Sequence, residues 1–175
     1  WRGAYARRSP RPPAGRGRGV VCASAGNHAQ GLPYACAHLG VRGTIYLPSN
    51  TPRQKRRRIA TIGGKWVEQV IVDGTFARAN ALAQEAARAT GRTYVHPYDD
   101  PFTIAGQGTI GVELEEQMPE DTAAILIPVG GGGLIAGIAT WLRAVRPEVA
   151  VIGVEPAGAA SMHAALAAGE PMTLA

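Results

Sequence analysis

Two stretches of this chain carry residue types and spacings that can do chemistry. In Ser24-Ala-Gly-Asn-His-Ala-Gln-Gly31 a glycine turn delivers a hydroxyl (Ser24), an amide (Asn27) and an imidazole (His28) at the start of an apolar, helix-like run. Such side chains, combined with the free N–H groups of a helix start, suit an anionic group such as a carboxylate. Taken singly, Ser24 and Asn27 could be ordinary helix caps and His28 an ordinary first-turn histidine. The second stretch is Ile125-Leu-Ile-Pro-Val-Gly130-Gly-Gly-Gly133-Leu-Ile-Ala-Gly137, an aliphatic run that enters four consecutive glycines. Glycines without Cβ let a backbone approach a ligand closely and adopt positive φ. Leu134, Ile138, Trp141, Leu142 and Val145 then recur at helical spacing, so the geometry is strand, tight loop, helix. The orphan N–H groups of that helix and the positive end of its dipole make the loop a seat for a phosphate. A plain strand-to-helix connection rarely needs more than one or two glycines.

A dinucleotide reading competes for the second stretch. Gly131-x-Gly133-x-x-Ala136 fits the glycine fingerprint of NAD(P)-binding domains, and Glu155 closes the next strand about twenty residues on. This reading leaves Ser24–Gly31 unexplained and does not call for Gly130 or Gly132.

Other chemistries fare less well. Cys22 and Cys36 fit neither a disulfide framework nor a metal-ligand spacing, and reduced thiols of a cytoplasmic protein are the default. The lysines are Lys55, within a basic run, and Lys65, at a strand entry; both read as solvated. Residues 1–67 hold 13 of the 18 Lys and Arg and none of the 13 Asp and Glu. Six of those 13 lie in residues 1–20 and five in Arg53–Arg58. The second group reads as the solvated face of one helix, with Thr51 as N-cap and Pro52 at its first position. Aromatic residues make up 6% and form no platform among the basic residues, so nucleic-acid binding is not expected. No apolar run approaches the ~20 residues of a membrane span.

The elements that must position the two loops follow from periodicity. Residues 1–19 open as something helical and turn into a basic Arg/Pro/Gly segment with no apolar period, which reads as irregular or disordered. A shifted reading frame in GC-rich coding DNA would keep the length of this segment and scramble its residue types. From Val20 to Pro97 the pattern is β-α-β-α-β-α-β, which predicts a small lobe with a parallel, helix-covered sheet. Gly40 closes the first helix, Gly63-Gly64 the second, and Thr75 and Gly91 bound the third. Pro33 inside the first helix removes one of its hydrogen bonds. Pro97-Tyr-Asp-Asp-Pro101 reads as a crossing into a second lobe over 98–175, present in part. It opens on a helical stretch carrying Gly106, Gly108 and Gly111, each costing about 1 kcal/mol relative to Ala, so a close neighbour is expected there.

Taken together, Ser24-Ala-Gly-Asn-His-Ala-Gln-Gly31, Gly106-Gln-Gly-Thr109, Pro128-Val-Gly-Gly-Gly-Gly-Leu134 and Gly153-Val-Glu-Pro156 resemble the threonine dehydratase (threonine ammonia-lyase) group. These are fold-type II pyridoxal-phosphate enzymes, built like the tryptophan synthase β subunit, with parallel helix-covered sheets in two lobes. The resemblance covers roughly 20–175. It implies elimination of water and ammonia from L-threonine, with L-serine as a second candidate substrate, giving 2-oxobutanoate for isoleucine biosynthesis; a serine racemase or serine dehydratase relative is the other reading within the group. It implies pyridoxal 5′-phosphate as cofactor, a small-molecule amino-acid substrate and a homo-oligomeric parent. Gly130, Gly131, Gly132 and Gly133 would bind the cofactor phosphate, and Asn27 the 3′-oxygen of its ring. Ser24, Gly26, Asn27 and His28 would surround the substrate carboxylate. Racemases of the group have a second serine where this chain has Ala25, whose methyl group cannot transfer a proton. The group's Schiff-base lysine lies in a pattern like S-[FY]-K-x-R-G-A; aligned on Trp1-Arg2-Gly3-Ala4, it would immediately precede Trp1. No catalytic residue is therefore assigned within these 175 residues, and the chain as it stands is not expected to turn threonine over.

Overall fold

The computed structural model describes residues 18–172. The expectations for the basic opening segment fall, over 1–17, outside the described residues. The chain divides into two compact units, Trp1–Pro97 and Tyr98–Ala175.

In the first unit, β1 (Val20–Ala23), β2 (Gly43–Pro48), β3 (Val67–Val72) and β4 (Thr93–Tyr94) form one parallel sheet in the order β3-β2-β1-β4. Three helices connect them: α1 (His28–Leu39), α2 (Arg53–Gly63) and α3 (Phe76–Thr90). The sequence Val-Val-Cys-Ala is apolar throughout because both faces of β1 are covered. Cys22 turns to one face, in a cluster with Ala29, Leu32, Cys36, Ile45 and Ile59 from β2, α1 and α2. Val21 and Ala23 turn to the other, against Ala83 and Ala87 of α3. Gly40 ends α1 at φ 66°, and Gly91 ends α3 at φ 63°, the left-handed conformation a helix C-terminus favours. The Thr75 hydroxyl caps α3, accepting from the Arg78 N–H at 3.3 Å.

Two local expectations need correction. Thr51 does not cap α2: Pro52 is extended (ψ 138°), the helix starts at Arg53, and the buried Thr51 hydroxyl finds no partner among the described residues. The strand after Lys65 begins at Val67, because Gly64–Trp66 form a short 3-10 turn. The helix-internal Pro33 has a packing reason. Its ring is fully buried where α2 ends, and a Cβ on Gly63 would come within 3.2 Å of it.

In the second unit, α4 (Pro101–Gln117) leads to β5 (Ala124–Pro128), α5 (Gly133–Val145), β6 (Ala150–Val154) and α6 (Ser161–Ala168). β5 and β6 pair in parallel. Asp100 caps α4, its carboxylate accepting the Thr103 N–H at 2.9 Å. The neighbour expected at the glycines of α4 is α5. A Cβ on Gly108 would lie 3.0 Å from the Gly137 carbonyl oxygen, and one on Gly137 would strike the Ile104 carbonyl and the Gly108 nitrogen. Ile127, Ile138 and Leu142 form the centre of this unit's core. On the opposite side of the strands Leu126 stays 70% exposed, and Ile152 and Val154 are exposed as well.

Candidate functional site

The first loop leaves the carboxyl end of β1, the edge at which open α/β sheets bind ligands. Ser24 is held by its own N–H, which reaches the Tyr46 carbonyl at 3.3 Å, and is buried. Its hydroxyl oxygen accepts the Gly26 N–H at 3.1 Å. That bond closes a tight turn and caps no helix, and it engages the Gly26 N–H that a ligand would otherwise meet. Gly26 therefore offers space: a Cβ there would find no atom nearer than 4.0 Å. Asn27 occupies the N-cap position, yet its side chain makes no cap bond and the residue is exposed. The first N–H to find an acceptor within α1 is that of Gln30, 3.0 Å from the Asn27 carbonyl.

His28 departs from the arrangement expected of the loop. Its ring turns into the core, with Nε2 donating to the Val95 carbonyl at 3.1 Å. Burial lowers its pKa to about 4; the carbonyl bond opposes the shift and nearby His96 adds to it. The imidazole is thus neutral and structural. Val95 also donates its own N–H to the Val21 carbonyl at 2.8 Å, so one residue ties β1 and the start of α1 together. No feature of the sequence indicated this partner.

The second loop lies between β5 and α5. The Val129 N–H reaches the Val154 carbonyl at 2.9 Å, which fixes the loop's entrance. The first N–H taken up inside α5 is that of Ala136, by the Gly132 carbonyl at 2.9 Å. The N–H groups of Gly133, Leu134 and Ile135 therefore have no acceptor within the helix. Among the described residues, no backbone carbonyl takes the N–H of Gly130, Gly131 or Gly132 either. Gly132 has φ 85°, and a Cβ at Gly130 would meet nothing within 4 Å. Unengaged donors, open space and a helix start together fit an anionic phosphate.

Glu155 answers the dinucleotide reading. Its two carboxylate oxygens accept the N–H groups of Met162 and His163, at 2.9 and 2.8 Å, in the first turn of α6. That engagement anchors the start of α6, a structural role for the carboxylate. Gln107, within the Gly106-Gln-Gly-Thr109 motif, is buried, and its Oε1 has no partner among the described residues.

Neither loop contains a lysine or a cysteine. Burial pushes the Cys22 thiol far up and the Cys36 thiol up to about 12, so neither forms a thiolate at neutral pH. Lys55 and Lys65 are exposed, and the Lys65 ammonium lies over the Trp66 ring, 5.4 Å from its centroid. Lys65 precedes β3, at the sheet edge opposite the one Ser24 leaves. Among the described residues, no group of three His, Cys, Asp or Glu could hold a metal ion, and no helix is long and apolar enough to cross a membrane.

The model of the pyridoxal-phosphate dependent enzyme family matches residues 2–175. The chain belongs to this family. Among curated members, the biosynthetic L-threonine dehydratase IlvA of Mycobacterium tuberculosis is 55% identical over 156 residues, covering 89% of this chain and 36% of that protein. Its counterpart in Bacillus subtilis is 43% identical over 173 residues, covering 99% and 41%. Among solved members, processed threonine deaminase isoform 2 from Solanum lycopersicum superposes with a TM-score of 0.87 at 43% identity, over 99% of this chain and 50% of that one. Maize serine racemase superposes with a TM-score of 0.87 at 33% identity, over 99% and 51%. The chain thus spans little more than a third of the length of the first curated relative and about half of the solved chains. Family membership gives the fold-type II architecture and sets aside a dinucleotide-binding domain.

Proposed function

We propose that this chain carries cofactor and substrate loops of a pyridoxal-phosphate-dependent threonine ammonia-lyase, which converts L-threonine to 2-oxobutanoate and ammonia in isoleucine biosynthesis. The observation that carries the reading is the tetraglycine loop, whose N–H groups ahead of α5 are taken by no backbone carbonyl among the described residues. Bound there, pyridoxal phosphate would supply the electron sink that acidifies the substrate's α-carbon.

This chain's own residues do the rest of what we assign to them. Gly130 to Gly133 hold the phosphate through backbone N–H groups, where the helix dipole favours negative charge. Asn27, whose side chain makes no cap bond, donates its carboxamide N–H to the 3′-oxygen of the cofactor ring. The Ser24 oxygen accepts from Gly26, which leaves its O–H to donate to the substrate carboxylate. Gly26 leaves room for that carboxylate. His28 contributes through the first turn of α1, since its ring is engaged with Val95. A lysine preceding Trp1 in the full-length protein would bind the cofactor covalently and move the α-proton.

Ala25 decides between elimination and racemisation. A racemase needs a proton donor on each face of the α-carbon, and a methyl group supplies none. We assign the full-length protein as a homo-oligomer acting on a small-molecule amino acid in the cytoplasm. The test is incubation of the full-length protein with pyridoxal phosphate and L-serine or L-threonine, followed by keto-acid and chiral amino-acid analysis. Keto acid without the D-enantiomer is expected. D-serine as the main product would make the racemase reading correct.

A further inference from the structure

The four glycines of the loop stand in different surroundings. A side chain at Gly130 would enter open space. At Gly132 the backbone is left-handed and a Cβ would press on the Met162 Cε at 2.7 Å, a flexible tip. A Cβ at Gly131, however, would overlap the Tyr98 ring, with Cγ, Cδ1 and Cδ2 as its three nearest atoms. A Cβ at Gly133 would meet Tyr98 again, at its carbonyl oxygen (2.7 Å), Cα (2.9 Å) and Cβ (3.0 Å). One residue therefore excludes side chains from two of the four positions. Cγ is the attached end of the ring and the Gly133 neighbours are mostly backbone, so no rotation of the ring tip relieves either collision.

The position of Tyr98 is itself fixed. Asp100, two residues on, caps α4, and α4 packs backbone against backbone on α5 through Gly108 and Gly137. Helix α5 begins at Gly133. Tyr98, α4, α5 and the loop thus close a ring of contacts, with the aromatic side chain pressed on the loop and 38% of its surface still exposed.

We propose that Tyr98 is a positioning residue for the glycine loop, holding Gly131 and Gly133 in the shape whose N–H groups converge on a phosphate. Four consecutive glycines lose more conformational entropy on ordering than any other tetrapeptide. A ring packed against one of their peptides removes part of that freedom before the anion arrives, which raises affinity without touching the ligand. The proposal rests on the phosphate reading of the loop given above.

The test is a double-variant cycle in the full-length protein, read as the dissociation constant of pyridoxal phosphate in fluorescence titrations of the apoprotein. Tyr98→Phe keeps the ring and should bind like wild type. Tyr98→Ala should weaken binding by about tenfold, and Gly131→Ala, which displaces the ring, by a similar factor or more. The combined variant, with space for the new methyl group, should bind no more weakly than Tyr98→Ala alone. If the two penalties multiply, Gly131 is needed by the ligand itself and the proposal is overturned; an unchanged constant in Tyr98→Ala overturns it as well. Should the wild-type protein bind no pyridoxal phosphate, the functional reading falls. The same cycle read as apoprotein unfolding midpoints then still decides the contact, because relief of the Gly131→Ala loss by Tyr98→Ala supports it and additive losses sink it.

Discussion

A negative charge on the glycine loop should weaken cofactor binding without disturbing the fold, provided it is placed at Gly130. Position 130 has open space on the Cβ side, with nothing within 4 Å, and no positive φ. Gly131 is a poorer choice, because any side chain there collides with Tyr98 and mixes steric with electrostatic effects. In Gly130→Asp a carboxylate would sit roughly 4 Å from a bound phosphate. Each pair of unit charges at that distance repels by about 4 kcal/mol at an effective dielectric of 20, near a thousandfold in affinity, and by about 1 kcal/mol if water fills the gap. Gly130→Asn has nearly the same shape and no charge, so the Asp-to-Asn ratio isolates the electrostatic part. The assay is titration of the apo full-length protein with pyridoxal phosphate, beside thermal unfolding of both variants. We expect similar midpoints, a ratio of at least several-fold, and a decrease of that ratio with added salt. Equal affinities for the Asp and Asn variants would refute a phosphate seat and leave the loop as a plain strand-to-helix connection.

Three further outcomes are expected. His28 is neutral in the fold with a pKa lowered to about 4, against 6.5 unfolded, so the unfolded state binds more protons between those values. Stability should be fully present above pH 6.5 and decline by about 3 kcal/mol as pH falls to 4, and the decline should be absent in His28→Gln when urea midpoints are compared across pH. Gly137→Ala should cost about 1–3 kcal/mol or prevent folding, because its methyl group would strike the Ile104 carbonyl and the Gly108 nitrogen, whereas Thr140→Ala on the exposed face of α5 should cost little; chemical denaturation separates them. Lys55→Ala and Lys65→Ala should leave the turnover of the full-length protein within about twofold, since both side chains are exposed and neither lies in a loop; a large loss in either would identify it as the covalent lysine.

Much of the fold was legible because its signals are local. The glycines that close α1 and α3 mark the left-handed residues at their ends, and the Thr75 cap follows from residue type and position. The apolar run of β1 reports a strand covered on both faces. The glycines of α4 announced a close neighbour but could not say which, because the answer, Gly137 on α5, lies on another element. His28 shows the same limit at the site. Residue type placed an imidazole in the loop, whereas a contact to Val95, far along the chain, turned it into the core. Tyr98 carried no pattern of its own, so its hold on the glycine loop emerges only from the packed structure. Thr51 was misread because threonine before proline suits a cap by type, while the extended Pro52 moved the helix start one residue on.

Proton NMR of L-threonine incubated with the apo form of the full-length protein, with and without added pyridoxal phosphate, tests the central claim most directly. The account predicts that 2-oxobutanoate appears as threonine is consumed, and only in the sample holding the cofactor. Threonine left intact in both samples, or consumed equally without pyridoxal phosphate, would contradict it.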